Sequence, residues 1–177
     1  MKDNLSNIED QLLVMDAQDG DGKAMEKLIR RWQKRLWQYA YRLTADVQAA
    51  WDITQQSWLE IIKGLRKLND PARFKAWAYR IVTNKAADWM KNKNRQRHLS
   101  IEAASPDCRQ KNNDSEVKEL MLKLKNDSRT ILSLYYFEQL TVNEISDVLN
   151  IPKGTVKSRL FKAREELKEL LEKYFDI

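Results

Sequence analysis

The sequence has little cysteine, histidine, glycine or proline, and each shortage excludes a class of protein. The one cysteine, Cys108, cannot form an intramolecular disulfide or a CxxC redox motif. The one histidine, His98, excludes an HExxH motif or a multi-histidine metal centre. The four glycines form no GxGxxG loop that could hold a phosphate. We therefore predict a protein that is not an enzyme and that has no cofactor and no metal site.

Long hydrophobic runs are also missing. No apolar stretch approaches the ~18 residues that a membrane span needs, and the N-terminus has no apolar signal core. At roughly 100–200 residues per domain, the 177 residues allow one domain or two small ones. The 32 Lys and Arg exceed the 26 Asp and Glu, which gives a net charge of +6. These features predict a basic, cytoplasmic protein of a reducing compartment.

The residues that are plentiful, among them Leu, Lys, Glu, Ala and Arg, favour helix over sheet. Apolar side chains recur every three or four residues, as in amphipathic helices. The stripes are Leu28, Trp32, Leu36, Tyr39 and Leu43, then Val47, Trp51, Thr54, Trp58, Ile61 and Leu65, then Phe74, Trp77, Ala78, Ile81 and Val82. The segment Asp19–Gly22 is predicted to form a turn, and Asp70-Pro71 is predicted to begin the third of these helices.

From 98 to 115 the pattern stops, and we predict a flexible linker there. It divides an all-α chain into two small helical domains, 1–97 and 116–177. Residues 1–97 carry 19 bases and 12 acids (+7), and residues 98–177, the linker included, carry 13 bases and 14 acids (−1). Since all six Trp precede the linker, we expect two separate cores.

The second half contains a helix-turn-helix pattern. Thr141 and Glu144 form a capping box, which begins a short helix that Asn150 ends. The segment 151–154 is long enough only for a tight turn, and a second helix follows it. That helix has five bases and no acid over 153–164, but five acids and two Lys over 165–176. The basic part suits the phosphates and guanine edges of a major groove; the alternative is a solvated face of mixed charge.

The first half ends in a basic, aromatic block, residues 73–97, with eight bases and one acid, Asp88. Positive charge with interleaved aromatic rings suits single-stranded or melting DNA. The alternatives are that Trp77 and Trp89 belong to the core and that Asn84 is an ordinary surface residue. The helix before this block has an exposed face around Asp52, which fits either docking to a basic protein helix or simple solvation.

Three motifs in this order resemble the extracytoplasmic-function class of bacterial sigma factors. They are DITQQSW (52–58), FKAWAYRIVTN (74–84) and IPKGTVKSR (151–159). The resemblance implies a sigma region 2 helical bundle over 1–97 and a region 4 helix-turn-helix over 116–177. It implies binding to core RNA polymerase, at the β′ clamp helices and the β flap, and to promoter DNA. An anti-sigma factor or another recruiting protein is a further partner of such proteins.

The resemblance also assigns site residues. Polymerase docking falls to Asp52, Gln55, Gln56 and Trp58. For the −10 element, the resemblance implies that the loop of about 66–73 surrounds a flipped base. The −10 residues that it implies are Arg80, Asn84, Asp88, Lys91, Lys93, Arg95 and Arg97. Reading of the −35 element falls to Lys153, Thr155, Lys157, Ser158, Arg159, Phe161 and Lys162.

The sequence departs from the family at the docking face, where Gln56 and Trp58 replace the usual Glu and Phe, so this face is less acidic than expected. Two other classes compete with the resemblance. A free-standing helix-turn-helix regulator would have no use for the basic aromatic block. A metal-dependent nuclease would need clustered carboxylates, but Asp52 and Glu60 are two turns apart with no third acid nearby.

Overall fold

A computed structural model describes the backbone of residues 2–99 and 114–175 and the side chains of residues 5–95 and 119–174. The described residues form helices and turns without a strand, which confirms the predicted all-α class. The predicted linker lies mostly outside the described residues. The helices are α1 Lys2–Gln18, α2 Gly22–Thr44, α3 Val47–Gly64, α4 Phe74–Leu99, α5 Asp114–Lys123, α6 Asn126–Leu132, α7 Val142–Leu149 and α8 Lys153–Phe175.

The helices begin and end where local side chains satisfy the backbone. Asp21 accepts hydrogen bonds from the first turn of α2, and Asp46 does the same for α3. Asp70 accepts a hydrogen bond from Ala72 N, but a short 3-10 turn, Pro71–Arg73, precedes α4. The third predicted helix therefore begins at Phe74 rather than at the proline.

The core of the N-terminal half is aromatic. Trp32 on α2 lies edge-on to Phe74 and Tyr79 on α4, with ring centroids 5.3 and 6.0 Å apart. Tyr39 meets Tyr79 at 5.1 Å and shares a hydrogen bond of 2.8 Å with Thr83. These rings fix α2 against α4, because edge-to-face pairs add to the stabilisation that burial already supplies.

The prediction of two separate cores is wrong. The buried side chains of both halves form one continuous cluster, because α7 packs against α4 and α2 contacts α5 and α6. Helix α1, which precedes the predicted turn at Asp19–Gly22, was not predicted. It packs on α2, and its Gln18 side chain donates to the carbonyl oxygens of Leu65 at 2.9 Å and Leu68 at 2.7 Å.

Gly64, at the end of α3, provides a test of this packing. A Cβ atom added there would lie 2.9 Å from Cζ2 of Trp77, closer than real contacts allow. We expect Gly64→Ala to lower the free energy of unfolding by about 1–3 kcal/mol, since the indole must shift within a packed interface. Gly22→Ala is the matched control because nothing lies within 4 Å of its added Cβ. Equal urea midpoints for the two variants would contradict the close approach of Trp77.

Candidate nucleic-acid interface

The helix-turn-helix is built by local contacts. The Thr141 side chain accepts from Glu144 N, and the Glu144 carboxylate accepts from Thr141 N at 2.8 Å, so the predicted capping box is confirmed. Asn150 takes the left-handed conformation that ends α7 (φ 52°), and Ser146 Oγ donates to Ile151 O at 2.6 Å. The turn is shorter than predicted because α8 already begins at Lys153.

Helix α8 buries one side and presents a basic, aromatic side to solvent. Val156, Leu160 and Ala163 face the core. The predicted −35 residues lie on the other side: Thr155 is half-buried, and Lys153, Lys157, Ser158, Arg159, Phe161 and Lys162 are exposed. Phe161 is 65% exposed, which is unusual for a ring of this size. An exposed ring beside cations could contact a thymine methyl group in a major groove.

The acidic end of α8 has a structural role that its composition did not reveal. The Glu166 carboxylate accepts hydrogen bonds from Lys125 N at 2.9 Å and from Ser128 Oγ at 2.6 Å, at the start of α6. Burial opposes its ionisation, but these hydrogen bonds outweigh that effect and hold the pKa of Glu166 below its usual value. This part of α8 thus anchors the domain. In the basic part, Arg159 lies 3.8 Å from a carboxylate oxygen of Asp127, and Arg164 Nε donates to Tyr136 OH at 2.8 Å.

Helix α4 carries a second exposed polar stripe. Buried Phe74, Ala78, Val82 and Ala86 lie on one side of the helix. The exposed members of the predicted −10 set lie on another: Arg80, Asn84, Asp88, Lys91 and Arg95. Steps of three or four residues place these five in one line along the helix surface. The side chain of Arg97 lies outside the described residues.

The two tryptophans of α4 have different surroundings. Trp77 is half-buried and packs against Phe74 with ring centroids 6.3 Å apart. Trp89 is also half-buried, and Lys93 Nζ lies 4.4 Å from its ring centre, a cation–π contact. Lys93 Nζ is also 3.7 Å from a carboxylate oxygen of Asp46. Both rings pack against the core and both keep an accessible part; that of Trp89 lies beside the basic stripe.

The predicted docking residues on α3 do not share one environment. Asp52, Gln55 and Gln56 are exposed, but Trp58 is only 7% exposed and belongs to the core. An apolar periodicity cannot distinguish a buried ring from a docking ring, because both positions recur at the same spacing. The exposed aromatic side chain beside Asp52 is Trp51, which lies 5.5 Å from Trp37.

A buried polar cluster joins the two halves, and no motif had indicated it. Glu138, 8% exposed, accepts hydrogen bonds from the Arg42 guanidinium and from Tyr79 OH. Burial lowers the pKa of Arg42 and raises the pKa of Tyr79. Arg42 also lies 4.8 Å from the ring centre of Phe137. A charged pair of this kind holds the halves together only while both partners remain.

Arg129 makes a second connection. It is buried, and its guanidinium donates to Leu43 O at 2.8 Å and to the carbonyl oxygens of Met121, Leu122 and Leu124 at 3.0–3.1 Å. Burial lowers its pKa. The carbonyls at the ends of α2 and α5 thereby gain a donor that neither helix supplies. Arg73, just before α4, also pairs with Asp147 of α7 at 2.6 Å.

The described residues contain no group of three potential metal ligands and no helix long and apolar enough to cross a membrane.

Two family models match the chain, Sigma-70 region 2 over residues 28–96 and Sigma-70, region 4 over residues 114–167. Together they span more than half of the sequence, in the order that a sigma factor requires. The chain belongs to the sigma-70 family.

Relatives place this sigma factor in the extracytoplasmic-function class. It is 26% identical to the ECF RNA polymerase sigma factor SigW of Bacillus subtilis, over 89% of this chain and 94% of that protein. It is 28% identical to the RNA polymerase sigma-H factor of Pseudomonas aeruginosa, over 95% and 96%. Sigma factors bind core RNA polymerase and direct promoter-specific initiation without catalysing a reaction themselves.

Solved structures share the fold of this sigma factor. CnrH in complex with the cytosolic domain of CnrY has a TM-score of 0.72 and 25% identity, over 93% of this chain and 97% of that one. RpoE in complex with the anti-sigma factor NepR from Bartonella quintana also has a TM-score of 0.72, with 22% identity, over 85% and 98%.

Proposed function

We propose that this sigma factor reads the −35 element with α8 and the −10 element with α4, and that it docks on polymerase with α3. The observation that carries the proposal is the pair of exposed basic stripes, one in each half of the chain. On α8, Arg159 and Phe161 would contact bases while Lys153, Lys157 and Lys162 contact phosphates; Thr155 and Ser158 complete that face. We keep the predicted division into a region 2 domain, 1–97, a linker, 98–115, and a region 4 domain, 116–177.

At the −10 element, Asn84 and Asp88 would hydrogen-bond a flipped base, with the loop of about 66–73 around it. Extrusion of a base costs roughly a few kcal/mol, which stacking and hydrogen bonds in the pocket offset. Arg80, Lys91, Lys93 and Arg95 lie close enough along α4 to follow the neighbouring phosphates, with Arg97 beyond them. The affinity that these phosphate contacts add depends on salt, whereas the contacts to the base determine which −10 sequence is chosen.

Docking on the polymerase β′ clamp helices would use Asp52, Gln55 and Gln56 on the exposed face of α3. Trp58 would support that face from inside, since it is buried. The C-terminal half would contact the β flap. Because polymerase works on the chromosome, the proposed location is the cytoplasm. We also propose a regulatory partner of the anti-sigma type, because CnrH, which shares this fold, was solved in complex with the cytosolic domain of another protein, CnrY.

Reading both elements at once requires the two halves to separate. The centres of the elements lie about 25 base pairs apart, or about 85 Å at 3.4 Å per pair. Helix α4, with 26 residues, is about 39 Å long, and α7 packs directly against it. The arrangement in which Glu138 joins the halves is therefore one that promoter binding must open.

Asn84 offers a test of the −10 role. We expect Asn84→Ala to reduce discrimination among −10 sequences by about 1–3 kcal/mol, because the amide is a candidate partner for a base edge. The measurement is initiation by holoenzyme on promoters altered at single −10 positions. Asn94→Ala, an exposed change farther along the same helix, is the control. Unchanged discrimination by Asn84→Ala would remove Asn84 from the pocket.

A further inference from the structure

The outer face of α1 exposes a row of large apolar side chains. They are Leu5, Ile8, Leu12 and Met15, each between 50% and 60% exposed. Their spacing of three and four residues places them in one stripe. Val14 and Ala17, on the opposite side, are buried against the bundle. Helix α1 is thus apolar on both sides, and no described part of the chain covers the outer side.

Helix α2 places a basic stripe beside this apolar one. Its members are the exposed residues Lys23, Lys27, Arg30 and Lys34, again three or four positions apart. A groove of about 580 Å³ runs between the two helices, lined by Glu9, Leu12 and Leu13 of α1 and by Lys27, Arg30 and Arg31 of α2. The apolar and basic stripes therefore border a single surface, which we call the α1–α2 groove.

The charge of the α1–α2 groove is only partly neutralised. Arg30 pairs with Glu26 at 2.6 Å, and Arg31 pairs with Glu9 at 2.8 Å and with Asp10. The ion pairs among the described residues do not include the three lysines of the basic stripe. The groove therefore combines a contiguous apolar strip with uncompensated positive charge.

We propose that the α1–α2 groove binds an acidic amphipathic helix of a partner protein. The apolar side of such a helix would cover Leu5 to Met15, a distance of about 15 Å or three turns, and its carboxylates would face the lysines. Contiguous exposed apolar patches of this kind mark interaction sites. An open groove between two helices, apolar on one side and basic on the other, suits a helix laid along it better than a nucleic-acid backbone, which has no apolar side. The site is independent of the DNA-reading faces proposed above.

The test uses a fluorescein-labelled peptide of about 18 residues, long enough to form a helix, with Leu at i, i+3, i+4 and i+7 spacing and Glu at the flanking positions. Fluorescence anisotropy with the full chain should show saturable binding. Leu12→Glu and Lys27→Glu should each weaken that binding about tenfold, through lost apolar contact and through charge repulsion respectively. Lys27→Glu is a surface change, so its effect does not depend on how the chain tolerates Leu12→Glu.

Matched controls are Leu59→Glu and Lys63→Glu, which make the same changes at exposed positions of α3 and should leave peptide binding unchanged. A peptide with the same composition in scrambled order should bind at least tenfold more weakly. The proposal is overturned if neither groove variant weakens binding, if the scrambled or a Lys-for-Glu peptide binds equally well, or if the chain binds anionic phosphatidylglycerol vesicles but not the acidic peptide.

Discussion

Glu138→Ala is expected to lower the free energy of unfolding by about 3–5 kcal/mol, because it leaves the Arg42 guanidinium buried without its carboxylate. Tyr79 OH loses its acceptor in the same variant. Chemical denaturation followed by circular dichroism measures the effect. Glu165→Ala, an exposed change on α8, is the control and should alter stability by about 0.5 kcal/mol or less.

A double variant separates a lost hydrogen bond from an unpaired charge. Arg42→Met combined with Glu138→Leu removes both charges and keeps apolar volume, so it should recover most of the stability that Glu138→Ala loses. The double variant should still fold with its two halves in contact. If Glu138→Ala and Glu165→Ala unfold at the same denaturant concentration, Glu138 does not hold the halves together.

The second large effect concerns α8. Replacing Lys153, Lys157 and Lys162 together by glutamine should weaken holoenzyme binding to −35 duplex DNA about a hundredfold near 0.1 M salt. If each lysine neutralises one phosphate, the slope of log K against log salt should become less negative by about 2.7. The loss should be the same for all −35 sequences, because phosphate contacts carry no sequence information.

Two comparisons make this result decisive. The control replaces three other exposed lysines by glutamine, which changes the net charge equally: Lys63, Lys168 and Lys173. Because these lysines lie off the proposed interface, the slope of log K against log salt should remain close to that of the unaltered protein. Arg159→Ala should cost about 1–3 kcal/mol on the preferred −35 sequence and little on others. If the two triple variants have the same slope of log K against log salt, the phosphate contacts do not lie on α8.

The features that the sequence predicted best are local ones. The capping box of Thr141 and Glu144 and the helix end at Asn150 depend on residues within one turn, so the local sequence determines them. The exposed basic stripes were also predictable, since a helix with one apolar side must present its charged residues to solvent. The apolar period that revealed α2, α3 and α4 depends in the same way on neighbouring residues.

Features that depend on distant partners were not predictable. Glu138 and Arg129 look like ordinary surface residues in the sequence. Glu138 is buried against Arg42 and Tyr79 of the other half, and Arg129 donates to Leu43 O of that half as well as to carbonyl oxygens of its own. Trp58 and Trp51 occupy the same apolar pattern, yet one is buried and the other exposed. The separate cores were predicted from the position of the tryptophans, which says nothing about whether the outer faces of the two halves pack together.

Transcription in vitro with core RNA polymerase tests most directly that this chain is a promoter-directing sigma factor. Core polymerase supplemented with the protein should initiate at discrete sites that share −35 and −10 sequences, and core polymerase alone should not initiate there. The protein should also elute with core polymerase in gel filtration. If it does not associate with core polymerase and produces no discrete start sites on genomic DNA, while its helix-turn-helix still binds duplex DNA, the free-standing regulator would be the correct interpretation.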